Sequence, residues 1–114
     1  MSIQQLAKRL FWGCSVLVLW GTLSTPSGIA ASFPFQDKLL HVGAFATLAW
    51  TGYLGYPNRL LVIAVGLVGF GAGIEIVQAY VPARSTEFAD LLADVVGIMI
   101  GLAATRPVTL WLSD

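Results

Sequence analysis

The chain has 114 residues, of which 57% are hydrophobic and 11% charged, against about 45–50% and about 25% in ordinary soluble domains. Six basic and six acidic residues cancel, so no net charge favours nucleic acid or an anionic surface as partner. The single cysteine, Cys14, excludes an internal disulfide framework and a multi-cysteine metal site. What remains is an all-α integral membrane protein of one domain, residues 1–114, whose first partner is the lipid bilayer.

A membrane-crossing helix needs roughly 17–25 mostly apolar residues, and four such stretches can be drawn. The first runs from about Leu10 to Thr25, follows Lys8 and Arg9, and closes at Pro26. The second runs from about Leu39 to Tyr56 and stops at the turn signal Pro57-Asn58. The third, from about Leu60 to Val81, is the most uniformly apolar. The fourth runs from about Phe88 to Thr105, with Arg106-Pro107 as its expected end. Short connections then imply a four-helix up-and-down bundle. Lys8, Arg9, Arg59 and Arg106 fall at one end, and Lys38 and Arg84 at the other. The excess of basic residues sets both termini in the cytoplasm, in a multi-pass arrangement. A rival reading makes residues 1–30 a cleaved signal peptide, with Gly28-Ile29-Ala30 as the cleavage site.

The polar residues collect where the first and third connections meet the helices. Asp37, Lys38 and His41 open the second span, Glu75 and Gln78 close the third, and Arg84, Glu87, Asp90 and Asp94 lead into the fourth. Asp37 and His41 are four residues apart, Glu75 and Gln78 three, and Asp90 and Asp94 four, so each pair shares one helix face. Asp37 stands where an N-cap carboxylate would stabilise the second helix. Glu75 lies roughly 9 Å inside the third span, where an ionised carboxylate costs about 3 kcal/mol on insertion scales. It must therefore be neutralised, paired or wet, and Arg84 is the expected partner of Glu75 or Asp90. Gly69, Gly73, Gly97 and Gly101 fit a small-xxx-small pattern and are expected at helix contacts.

Three uses of this cluster compete. It is a structural ion-pair set that fixes helix register, a preformed pocket for a polar head group, or an acid–base site with His41 and Glu75 moving protons on a lipid-linked substrate. No nucleophile arrangement, phosphate-cradling glycine loop or HExxH accompanies it, so a catalytic assignment has no motif behind it. No local ligand spacing marks a metal site, and neither a metal nor another cofactor is expected. The apolar remainder of each span also argues against a proton or ion path through the membrane.

Asp37-Lys38-x-x-His41, Glu75-x-x-Gln78, Pro82-x-Arg84-Ser85, Asp90 and Gly97, in this order, resemble the VanZ-like family of small bacterial membrane proteins. The resemblance covers about residues 35–101, and the first span fits by position. Phe45 stands where the family commonly has Tyr, Ala83 where it has Gly, and Asp94 where it has Asn. The family takes its name from a protein linked to low-level teicoplanin resistance. The resemblance implies a protein of the bacterial cytoplasmic (inner) membrane with a role at the cell envelope. The expectation is a binding or accessory protein whose outer pocket, built from His41, Glu75, Gln78, Arg84, Asp90 and Asp94, takes an envelope glycopeptide or a lipid-linked ligand.

Overall fold

The structure is a computed structural model that describes residues 1–24, 36–80 and 88–112. These form four helices and no strand: α1 (Ile3–Ser24), α2 (Gln36–Gly55), α3 (Leu60–Gln78) and α4 (Phe88–Leu112). The molecule measures 49 × 23 × 23 Å, close in length to a bilayer of roughly 40–45 Å with its head groups. Helices α3 and α4 are both long and apolar enough to cross a membrane.

Helix α1 starts seven residues before the expected span because Ser2 and Gln5 close a reciprocal cap. The Gln5 amide donates to Ser2 Oγ at 3.1 Å, and the Ser2 amide donates to Gln5 Oε1 at 3.0 Å. Helix α2 begins at Gln36, so Asp37 falls inside its first turn and not at its N-cap; its side chain lies outside the described residues. The Pro57-Asn58 turn forms as expected, with the Arg59 amide donating to the Tyr56 carbonyl at 3.0 Å. Helix α4 does not stop at Arg106-Pro107 but runs through Pro107 to Leu112. The hydroxyls of Thr105 and Thr109 donate to the carbonyls of Leu102 and Arg106 on either side of the proline. A proline inside an apolar helix removes one amide donor, here the one that would reach the Ala103 carbonyl, and the neighbouring packed helices tolerate it.

Helix directions alternate, yet the order around the bundle is α1-α2-α4-α3 rather than the chain order. Among the described residues α1 and α4 make no contact, and the most extensive packing joins α2 to α4, a parallel pair. The cause is backbone proximity. A Cβ at Gly97 would overlap the Val42 carbonyl oxygen, and one at Gly101 would overlap that of Ala46. Gly97 and Gly101 thus let α4 lie directly on α2. Gly69 and Gly73, also expected at a helix contact, instead face open space, and a Cβ at either would meet nothing within 4 Å. The small residue of α3 that is used is Gly71.

The interior and the surface invert the pattern of a water-soluble domain. Phe45, Leu48, Ala49 and Leu67 are buried, but so are His41, Thr51, Glu75, Gln78, Asp90, Asp94 and Thr105. Leu17, Trp20, Leu61, Val62, Val65 and Ile76 are each more than 60% exposed. A monomer rarely presents so much apolar surface to water, so the exterior suits a lipid surround. Two glutamines tie the helix ends. Gln4 Nε2 donates to the Gly55 carbonyl at the end of α2 (3.1 Å), and Gln78 Nε2 to the Thr22 carbonyl near the end of α1 (2.9 Å). Both carbonyls belong to last turns, which lack amide donors from within the helix.

Candidate functional site

One turn into α2, His41 faces α4. Its Nδ1 lies 2.7 Å from Asp94 Oδ1, and its Nε2 lies 3.8 Å from Asp90 Oδ2. Asp90 in turn receives the Lys38 ammonium at 2.6 Å on Oδ1. The four side chains form one line, Lys38–Asp90–His41–Asp94, alternating between α2 and α4. The i, i+3 spacing of Lys38 and His41 and the i, i+4 spacing of Asp90 and Asp94 put each pair on a single face. The parallel contact through Gly97 and Gly101 brings the two faces into register. Asp94 is 1% exposed and His41 8%, whereas a quarter of the Lys38 side chain is accessible. Charge is therefore buried on the carboxylate side and reaches the surface through a lysine.

Helix α3 closes the line from the other side. A Cβ at Gly71 would sit 2.7 Å from Asp94 Oδ2, so the absence of a side chain there makes room for the carboxylate. The same point lies 3.4 Å from Phe45 Cζ. Phe45 and Asp94, two positions where this chain departs from the VanZ-like pattern, thus meet over one glycine. Glu75, one turn beyond Gly71, is buried on α3.

Of the residues read from the sequence, Lys38, His41, Asp90 and Asp94 come together. Gln78 is fully buried and its amide turns to α1, where it caps a carbonyl. Arg84 and Glu87 lie outside the described residues, as does the side chain of Asp37. Asp37 and His41 were expected on one helix face and Arg84 beside Glu75 or Asp90, expectations that involve side chains outside the described residues; among the described residues His41 meets Asp94, 53 residues away in the chain, and Asp90 meets Lys38. Among the described residues no three of His, Cys, Asp or Glu are arranged to hold a metal ion.

This arrangement holds an imidazole in one orientation between two carboxylates and fixes an ammonium at the rim. A buried ion pair of this kind locks two helices, positions a base, or presents charge to a ligand. A family model described as VanZ/LLP1 matches residues 4–111. No curated protein and no solved structure gives a significant match.

Proposed function

The chain belongs to the VanZ/LLP1 family, and on that premise we propose a multi-pass protein of the bacterial cytoplasmic membrane that binds a polar envelope ligand at the outer end of its bundle. In this reading all four helices span. Helices of 22 and 20 residues extend about 33 and 30 Å, enough for the hydrocarbon core. The α1 segment is retained, since it supplies Ala7 and Phe11 to the interior. Lys8, Arg9, Arg59 and Arg106 mark the cytoplasmic end and Lys38 the outer one.

The observation that carries the proposal is the Lys38–Asp90–His41–Asp94 line: ionisable groups held in fixed geometry inside an otherwise apolar bundle, with one charged end accessible. Ionisable residues at such depth are retained for a use. Asp90 and Asp94 set two carboxylates beside Lys38 and His41, Glu75 is buried on α3 one turn from Gly71, and the sequence puts Arg84 between α3 and α4. A head group with both an anionic group and an amine suits that balance. A glycopeptide such as teicoplanin has this chemistry, and so do envelope precursors.

A second reading, a small membrane enzyme acting on a lipid-linked substrate, is favoured by the 2.7 Å contact of Asp94 with His41. A carboxylate orients a general base in this way.

The test is teicoplanin and vancomycin susceptibility of a sensitive Gram-positive host expressing the protein. Wild type is compared with Arg84→Ala, Lys38→Gln and Glu75→Gln at matched membrane level. A selective rise in teicoplanin tolerance that Arg84→Ala abolishes and Lys38→Gln weakens is the expected result. No change from well-inserted wild type removes the glycopeptide from the proposal. Failure of Glu75→Gln to accumulate would assign that carboxylate to structure.

A further inference from the structure

The opposite end of the bundle contains a groove of about 570 Å³ between α1, α3 and the α2–α3 turn, within the roughly 300–1,000 Å³ of small-molecule sites. Its floor is apolar, from Phe11, Leu67 and Phe70, with Gly66 lying open along it. Trp12 and Val62, both on its wall, are 58% and 61% exposed, so the groove opens sideways from the bundle. At its mouth stand Tyr56 and Arg59. The Trp12 indole donates to Tyr56 Oη at 2.9 Å, and Lys8 Nζ lies 5.0 Å from the centre of the Tyr56 ring. That pair holds the rim in place with the polar atoms of Trp12 and Tyr56 together.

We propose that this groove binds one acyl chain of an anionic membrane phospholipid, with its phosphate on the Arg59 guanidinium. The proposal rests on the membrane reading of the chain and is independent of the ligand proposed for the polar end. Three observations support it. From Arg59 to Phe70 along α3 is roughly 16 Å, about half of the roughly 30 Å hydrocarbon thickness, which is the depth of one leaflet's chains. The groove opens laterally, where lipid is the solvent. Charge is complementary as well: Lys8, Arg9, Arg59 and Arg106 gather at this end, and Glu75, Asp90 and Asp94 belong to the other. Arg59 forms no ion pair among the described residues and is exposed, so it presents its donors to a phosphate.

The experiment is native mass spectrometry of the full chain released from detergent with phosphatidylglycerol or with diacylglycerol of identical acyl chains, which lacks the phosphate. Wild type is expected to retain one phosphatidylglycerol about tenfold more tightly than diacylglycerol, the effect of one charge-assisted contact. Arg59→Gln is expected to bring phosphatidylglycerol down to the diacylglycerol level. Gly66→Leu is expected to release both, because it fills the groove, and to leave the thermal transition unchanged or slightly raised, because a Cβ there meets nothing within 4 Å. Should that variant misfold, Ser15→Leu fills the groove from α1. Equal retention of phosphatidylglycerol by wild type and a folded groove-filling variant would overturn the site. Equal retention of the two lipids by wild type would overturn the head-group contact.

Discussion

The two ends of the bundle use the same materials in opposite ways. At the polar end α2 and α4 touch backbone to backbone, Gly71 is filled by the Asp94 carboxylate, and charge is enclosed between helices. At the other end α1 and α3 stand apart, Gly66 is left open, and the cations lie outside an apolar groove. Glycine in a membrane helix therefore has no fixed meaning. It permits close approach where a neighbour occupies the vacated volume and creates a groove where none does. The net charge of zero likewise conceals a dipolar molecule, with its described carboxylates gathered at one end.

Substitutions that add a side chain at each kind of glycine test this contrast most severely. Gly101→Val drives a side chain into the Ala46 carbonyl, which cannot rotate away. The expected loss is upwards of about 3 kcal/mol, at the high end of overpacking, read as a collapse of folded protein in detergent and of membrane level. Next in size is the buried pair. His41→Leu leaves Asp94 enclosed without its imidazole and is expected to cost about 3–5 kcal/mol, whereas the double variant His41→Leu with Asp94→Leu is expected to recover much of it. Thermal unfolding of both single variants and the double measures the coupling. A double variant no better than the singles would place the cost in packing instead.

Smaller effects sharpen the same comparison. Lys38→Gln acts on the partly accessible end of the line and is expected to cost about 1 kcal/mol in stability, far less than His41→Leu. An equal loss would mean that the lysine is as structural as the histidine. Gly69→Ala and Gly73→Ala face open space and are expected to leave melting unchanged or raise it by up to about 1 kcal/mol through helix propensity. A marked loss in either would reveal an occupant of that face, such as a second copy of the chain.

Much of the fold was legible in advance. Apolar runs, the Pro57-Asn58 turn and the polar clusters located all four helices, and the i, i+4 spacing of Asp90 and Asp94 placed both on one face. The early start of α1 was also readable, since Ser2-x-x-Gln5 is a capping box in plain sequence. Continuation through Pro107 was less so, because a proline in an apolar run is compatible with a helix end and with a helix interior alike. Gln78 has the polarity of a site residue, and nothing local reveals that it caps another helix.

Composition and periodicity by themselves determined that this chain is helical and apolar outside, and they located its polar residues near the helix ends. Those properties follow from each residue's own transfer energy and from the 3.6-residue turn, which act locally. Which polar residues meet was decided only by the tertiary structure. The pairing of His41 with Asp94, the room that Gly71 leaves for it, and the groove beside Arg59 all depend on the order α1-α2-α4-α3. That order is set by backbone contacts between residues about fifty positions apart, whose distance no local pattern encodes.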